Sequence, residues 1–324
     1  MKVALQNFYK CITNHPQYNS DCTLFIGYSA RYFNLANDIC KDFPIFNPQL
    51  HLKCMELDVN NLEQIKNSLT SSNLFILFYD SDYKQPLGRS VIVQQIISEL
   101  KQFWQKSCVL KDYGSYFNEA FGVCPSELQN LNNQLMSIAN ESNFLRYSDD
   151  LGSNLEVDVA NARWTSVCGC GNLDLVPGEI ATFGKVNGIV KFTGSFLSII
   201  PLAPKYGLIK EPLTLTIKDN IIVDVAGDDI RLITDFKKYI QYNTSNATVE
   251  EVGIGTNYAV KLRGINAGFE ERHVGLHLGL GGGKSGSDHL DLIFQSGSLF
   301  FNETLIIKNE TICFDNLTIQ NAIN

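Results

Sequence analysis

Residues 73–79, Asn-Leu-Phe-Ile-Leu-Phe-Tyr, form a run in which every position after the first is apolar. Apolar residues on both faces of a short strand are typical of a parallel sheet covered by helices. Strand-like runs at residues 22–27 and 52–59 precede it, and stretches with helical spacing follow them at residues 32–43 and 60–69. This alternation predicts an open, mostly parallel α/β sheet with right-handed crossovers.

Two further amphipathic stretches, residues 91–104 and 125–141, predict helices after this sheet. The pattern changes beyond the second of them, where short segments punctuated by glycine replace the long periodic runs. We therefore expect a domain boundary near residue 143. The prediction is an α/β domain at residues 1–143 and a β-rich α+β domain at residues 144–324.

The second domain is expected to consist mainly of short strands. Alternating apolar and polar residues predict strands at residues 155–159, 188–192, 213–217 and 221–225. The polar sequence Lys218-Asp219-Asn220 between the last two predicts a tight hairpin turn. One stretch, residues 229–242, has convincing helical periodicity in this half of the chain.

Composition sets limits on the class of protein. The 324 residues are 44% hydrophobic and 19% charged, as in a folded globular protein, with a formal net charge of -8. That charge, without a run of Lys and Arg, argues against a nucleic-acid partner. No stretch is long and apolar enough to predict a membrane span or a secretory signal, and nine scattered Cys fit reduced thiols. We expect a cytoplasmic protein without a membrane partner.

Histidine is concentrated in one short segment. The chain has 5 His, and three of them, His273, His277 and His289, lie within residues 271–291. In His289-Leu-Asp291 the imidazole and the carboxylate are two residues apart, so a strand would turn both to the same face. His277 lies on a probable neighbouring strand, while His273 is expected outside the ligand set. His and carboxylates are common ligands of zinc, manganese and non-haem iron. A hydrogen-bonded pair at a strand end is the alternative for His289 and Asp291.

Two other motifs are weak. Gly283-Lys284-Ser285 suggests a phosphate-binding loop, but Leu278 stands where that motif needs its first glycine, and a strand follows instead of a helix. Cys168-Gly-Cys170 has no second Cys pair or nearby His to complete a tetrahedral metal site. Neither a nucleotide nor a soft metal is therefore expected.

Several segments of the second half occur in a recognisable order. They are Asn161-Ala-Arg163-Trp164, residues 175–180, residues 187–190, residues 251–257, residues 277–281 and His289-Leu-Asp291. In order and approximate spacing they resemble the aminopeptidase T type of metallo-aminopeptidase. The first half of the chain is similar to that family in general character only.

The resemblance implies a set of metal ligands, namely Glu179, Glu251, His277, His289 and Asp291. In that family such residues hold two divalent ions (zinc, manganese or cobalt) that activate a water or hydroxide, with a carboxylate as the general base. By resemblance, Glu251 is a ligand or a bridge, and Glu179 is a ligand that could also take the proton. A homodimer and a peptide or small-molecule substrate are also implied.

The chain departs from the family pattern between its two ligand histidines. The family has a Tyr a few residues after the first ligand histidine, and this chain has Lys284 at about that place. Lys284 could replace the Tyr as a donor to a developing oxyanion, or it could be a solvated loop lysine. The loop from His277 to His289 is also shorter than in the peptidases.

Three functions are compatible with these residues. The first is a metal-dependent hydrolase of peptides or a related amide. The second is a mononuclear Fe(II) oxygenase, because a dioxygenase that opens dihydroxypyridine rings has the same fold and binds one iron through two His and one Asp. The third is a non-catalytic peptide-binding relative in a biosynthetic pathway. Because Glu251 is an acid where the dioxygenase has a His, the hydrolase is favoured.

Overall fold

The computed structural model of the chain describes residues 1–79, 106–167, 176–198, 202–283, 287–314 and 317–319. The chain divides into two compact units, Met1–Pro125 with Val167–Pro177, and Ser126–Ser166 with Gly178–Asn324. The domain boundary near residue 143 stays a prediction. The helix predicted at residues 91–104 lies outside the described residues, as do the Cys168 and Cys170 pair.

The first unit alternates helices and strands. Its described elements are α1 (Lys2–Thr13), β1 (Thr23–Tyr28), α2 (Phe33–Phe46), β2 (His51–Glu56), α3 (Leu62–Ser71), β3 (Leu74–Tyr79), β4 (Ser107–Lys111) and α4 (Phe117–Ala120). The strands form a sheet in the order β2-β1-β3-β4, and every described pair is parallel. The predicted parallel sheet is confirmed.

Strand β3 lies between β1 and β4, and helices cover both of its faces. The side chains of Phe75 and Leu77 pack in one cluster with Ile65 and Leu69 of α3. On the opposite face, the ring of Phe78 lies 6.0 Å from the ring of Phe8 in α1. The uninterrupted apolar run at residues 74–79 follows from this two-sided burial.

The second unit is mostly antiparallel sheet. Its described elements are α5 (Pro125–Asn140), β5 (Phe144–Ser148), β6 (Asn154–Asp158), β7 (Thr165–Val167), β8 (Glu179–Thr182), β9 (Lys185–Ser198), α6 (Leu202–Tyr206), β10 (Leu208–Lys218), β11 (Ile221–Gly227), α7 (Ile230–Tyr242), β12 (Val249–Gly255), β13 (Gly275–Leu280), β14 (Leu290–Phe294), β15 (Ser298–Phe301), β16 (Thr304–Lys308), β17 (Thr311–Phe314) and β18 (Leu317–Ile319). A 3₁₀ helix, Gly268–Arg272, precedes β13.

The described strands of this unit form one 14-stranded sheet. Its central order is β9-β14-β13-β12-β8, with antiparallel pairing between each neighbouring pair. Strands β10 and β11 form the predicted hairpin, in which Asp219 and Asn220 have positive φ angles of 48° and 69°. The protein is therefore a mixed α/β fold with a parallel sheet and a larger antiparallel sheet.

Helix α7 begins at a well-formed cap and covers the large sheet. The Asp229 carboxylate accepts hydrogen bonds from the backbone N–H groups of Arg231 and Leu232. Further along the helix, the ring of Phe236 stacks 5.8 Å from that of Phe196 in β9. The predicted helix at residues 229–242 is thus confirmed. No helix in the described part of the chain has the length and apolar character needed to cross a membrane.

Candidate metal centre

Four neighbouring strands bring the predicted ligands to one face of the antiparallel sheet. In one row across the strands, Gly279 of β13 pairs with Glu251 of β12 on one side and with Asp291 of β14 on the other. His277, two residues before Gly279 in β13, pairs with Gly253 of β12. Because directly paired residues point to the same face, and so do residues two apart on a strand, these side chains share one face.

Glu179 joins this face from strand β8. It is the first residue of that strand and pairs with Gly255 of β12, four residues after Glu251. Its backbone carbonyl accepts a hydrogen bond of 2.8 Å from the side-chain amide of Asn132 in α5. The amide oxygen of Asn132 in turn accepts a 2.6 Å hydrogen bond from Thr256. This buried network fixes the strand end on which Glu179 lies.

Two glycines leave the space in which the ligands meet. A Cβ atom on Gly253 would overlap Nε2 of His277. A Cβ atom on Gly279 would lie 2.7 Å from Cε1 of His289 and 2.8 Å from Cβ of Glu251. Glycine is therefore required at both positions because neighbouring functional side chains occupy the volume of a methyl group.

The site has a buried end formed by Glu179 and His277, with Glu251, whose side chain is 32% exposed, at its edge. Oε1 of Glu179 lies 2.9 Å from Nε2 of His277, and the two side chains are 5% and 1% exposed. Within the described residues, these three form the one group of potential ligands whose donor atoms all lie within 4.8 Å of one another. Such a cluster has the size of a single coordination sphere.

Arg272, which the sequence did not point to, completes the buried end. Its Nη1 atom makes an ion pair with Oε2 of Glu179 and lies 2.5 Å from Oε1 of Glu271. The residue is 1% exposed, although Arg is rarely buried unless its charge is paired. Glu179 is thus held between a guanidinium and an imidazole.

The other end of the site is more open and consists of His289 and Asp291. Nε2 of His289 lies 2.8 Å from Oδ1 of Asp291 and 3.9 Å from Oε2 of Glu251. Nδ1 of His289 lies 3.3 Å from the carbonyl oxygen of Gly281. The His289 side chain is 44% exposed, so this end is accessible to solvent. Because His289 and Asp291 are two residues apart, their side chains meet at the start of β14, as predicted.

The charges at the buried end perturb one another strongly. Burial opposes the charge of Glu179, but the Arg272 guanidinium and the contact with His277 outweigh it and lower the pKa of this carboxyl to about 2. Burial likewise opposes a charge on His277, yet Glu179 raises the pKa of the imidazole to about 9. The pair is therefore ionic at neutral pH when no metal is present.

The pKa values of His289 and Glu251 shift for related reasons. The contact with Asp291 raises the pKa of His289 to about 9, against the opposing effect of burial. Burial raises the pKa of Glu251, and the neighbouring carboxylates of Glu179 and Asp291 act in the same direction, while His277 opposes them. Glu251 therefore takes up a proton more readily than Glu179 does.

The residues fit a divalent metal ion. Both ring nitrogens of His277 are buried without an aligned hydrogen bond to any described residue, even though Nε2 is close to Glu179. Apart from its contact with Glu179, this buried imidazole is unsatisfied, which costs free energy, and a metal ion is one partner that would satisfy it. Two imidazoles and three carboxylates form a hard-to-intermediate donor set, as zinc, manganese, cobalt and iron accept.

Two residues of the histidine-rich segment lie elsewhere. Lys284, the predicted catalytic lysine, is outside the described residues. His273 is buried at the end of the 3₁₀ helix, where its Nδ1 lies 3.2 Å from the carbonyl oxygen of Val260 and its Nε2 lies 3.7 Å from a carboxylate oxygen of Glu310. His273 was expected outside the ligand set, and its contacts are with residues other than the predicted ligands.

Comparison with known proteins identifies a partial family match and two structures of the same fold. Residues 208–302 match the family model described as crocagin biosynthetic protein CgnE/B. This segment includes Glu251, Arg272, His277, His289 and Asp291 but not Glu179. No curated protein matches the sequence.

Two solved structures are among those with a similar fold. One is the 2,5-dihydroxypyridine dioxygenase from Pseudomonas putida KT2440, with a TM-score of 0.63, 11% sequence identity, and coverage of 97% of each chain. Another is wild-type AmpT from Thermus thermophilus, with a TM-score of 0.59, 12% identity, and coverage of 95% of this chain and 98% of the other. At this level of identity the similarity establishes the fold and leaves the activity open.

Proposed function

We propose that the protein is a metal-dependent hydrolase that acts on peptides or a related amide. The observation that supports it most directly is the cluster of Glu179, Glu251 and His277, whose donor atoms lie within 4.8 Å of one another on one sheet face. His289 and Asp291 extend the same face toward solvent. The resemblance to metallo-aminopeptidases in sequence order, together with the AmpT fold, favours hydrolysis.

A divalent ion bound there would polarise a substrate carbonyl and lower the pKa of a coordinated water. The residues of the site would bind the metal, act as the general base and contact the substrate. Glu179, His277 and Glu251 would hold the ion. Glu251 is the stronger candidate for the general base, because its side chain is 32% exposed while that of Glu179 is buried and paired with Arg272. The more exposed His289 would face the substrate.

The test combines metal analysis with a peptide-cleavage assay. Protein purified without oxygen or chelators, then loaded with Zn²⁺, Mn²⁺ or Co²⁺, is expected to release N-terminal residues from a peptide library. Glu251→Gln should abolish cleavage. Glu250→Gln is the matched control, because Glu250 is the adjacent residue of β12 and its carboxylate accepts a hydrogen bond from Ser245 instead of joining the cluster. Cleavage that survives Glu251→Gln would contradict the assignment.

A mononuclear iron oxygenase is the second candidate, and one observation favours it. The described residues offer one three-ligand group, and the fold is shared with the dioxygenase. About one iron per chain with substrate-dependent O₂ consumption would identify this activity. Absence of bound metal after reloading would instead favour a non-catalytic peptide-binding protein, consistent with the biosynthetic family that matches residues 208–302. A homodimer and a cytoplasmic location remain predictions.

A further inference from the structure

The buried guanidinium of Arg272 is an unusual neighbour for a metal ligand. Arg272 is one of the largest side chains in the described core and is 1% exposed. An arginine stays charged in a protein, so its burial is tolerated only where carboxylates compensate it. Here the compensating groups are Glu179 and Glu271. The residue therefore places a permanent positive charge beside the cluster.

The backbone around Arg272 holds this charge in a defined position. The carbonyl oxygen of Arg272 accepts a 3.0 Å hydrogen bond from the N–H of Asn257, just beyond β12. Gly255 allows the close approach, since a Cβ atom there would lie 2.8 Å from the carbonyl carbon of Arg272. Glu270, two residues earlier, is fully buried and its carboxylate accepts hydrogen bonds from the backbone N–H groups of Arg263, Gly264, Ile265 and Ala267. The 3₁₀ helix that carries Arg272 is thus anchored on both sides.

The two oxygens of Glu179 consequently have different partners. Oε1 lies 2.9 Å from His277 and faces the cluster, whereas Oε2 is paired with Arg272. A carboxylate can bridge two metal ions by offering one oxygen to each. Because the guanidinium occupies Oε2, Glu179 has one oxygen left for a metal.

We infer that Arg272 takes the place of a second metal ion, so that the cluster holds a single divalent ion through Glu179, Glu251 and His277. The inference rests on the proposed metal-binding function. At the open end, His289 and Asp291 lie 2.8 Å from each other and are not part of the three-ligand group. Arg272 acts as a positioning residue, because its ion pair turns Oε1 of Glu179 toward His277.

The experiment counts metal ions per folded chain by native mass spectrometry after reloading with excess Mn²⁺ or Zn²⁺. The wild-type chain is expected to hold about one ion, and Arg272→Lys, which keeps the positive charge, about one as well. Arg272→Gln frees Oε2 and removes the charge, so about two ions are expected. Arg146→Gln is the matched control, because Arg146 also pairs with two carboxylates, Glu156 and Glu303, but on the surface. Its ion count should equal that of the wild type.

Metal-induced thermal stabilisation gives a second readout. Added metal should raise the Tm of Arg272→Gln by more than that of the wild type, because the ion then neutralises the carboxylates that the arginine left behind. A wild-type chain with two ions, or a folded Arg272→Gln variant that keeps one, overturns the inference while leaving the hydrolase proposal standing. A wild-type chain with none overturns both. If Arg272→Gln does not fold, the wild-type count alone decides between one ion and two.

Discussion

The two ends of the candidate site contain the same types of residue in different surroundings. Glu179 and His277 form a carboxylate–imidazole contact that is almost completely buried, whereas in the contact between Asp291 and His289 the imidazole is 44% exposed. Among the described residues of the site, an arginine and an imidazole without an aligned hydrogen bond occur at the buried end only. We therefore propose that the buried end provides affinity for the metal and that the open end gives access to the substrate.

The two ends should differ most in how much they contribute to the free energy of unfolding. Glu179→Gln removes the negative charge from the buried Arg272, and such a break costs about 3–5 kcal/mol in the free energy of unfolding. His289→Ala removes a half-exposed partner and should cost no more than about 1 kcal/mol. Urea denaturation of both metal-free variants measures the two values. Equal losses would mean that the ends do not differ in this respect.

Filling the space beside His277 should destabilise the protein nearly as much as Glu179→Gln does. The new Cβ in Gly253→Ala would overlap His277, so we expect a loss of about 1–3 kcal/mol together with weaker metal binding. Gly268→Ala is the control, since no atom lies within 4 Å of the position that its Cβ would take. Thermal denaturation with and without metal provides the measurement. A Gly253→Ala variant as stable as Gly268→Ala would show that the strands can move apart.

The pH dependence of metal binding should identify the end that binds. The pKa values of His277 and His289 are both raised to about 9 in the metal-free protein, so each imidazole is protonated near neutral pH and must lose its proton before it can ligate. Affinity therefore rises with pH and levels off as the pH passes about 9. Each released proton gives about a tenfold change per pH unit below that value.

Calorimetry in buffers of different ionisation enthalpy counts these protons. An ion bound through His277 alone should release about one proton from an imidazole, and an ion bound through both histidines about two. The His289→Ala variant serves as the reference, because only His277 can then contribute an imidazole proton. A wild-type value above that of the variant by about one proton would place His289 among the ligands and weaken the distinction between the ends.

The smallest expected effect on metal binding comes from the open end. Asp291→Asn and His289→Ala should leave the ion in place with less than about a tenfold loss of affinity, yet slow peptide cleavage by about a hundredfold, if these residues contact the substrate. Steady-state kinetics with metal-saturated enzyme separates the two effects. Loss of the metal in either variant would assign a direct ligand role to the open end.

Part of this site could be predicted from the sequence and part could not. The separation of His289 and Asp291 by two residues predicts a shared strand face, and the structure places them 2.8 Å apart. Glu179 and Glu251 are distant in sequence, so only their resemblance to a family motif indicated them. Their convergence depends on the antiparallel register of β8, β12 and β13, which local patterns do not encode.

Arg272 is the clearest example of a site residue that could not be predicted from the sequence. It lies in a segment with several charged residues, Glu270 to His273, that would ordinarily be read as a solvated loop. Its burial depends on the side chains of Glu179 and Glu271, and the first of these is far away in the sequence.

Helix α1 was missed for a different reason. It is absent from the sequence-based prediction, although Leu5, Phe8 and Ile12 recur at helical spacing and are buried.

The measurement that tests the central claim most directly is the metal content of a matched pair of variants, His277→Ala and His289→Ala. Each removes one imidazole from the same sheet face, and native mass spectrometry counts the ions on the folded chains. The buried end is expected to hold the ion, so His277→Ala should retain essentially none while His289→Ala retains about one. Retention by His277→Ala together with loss from His289→Ala would contradict the account.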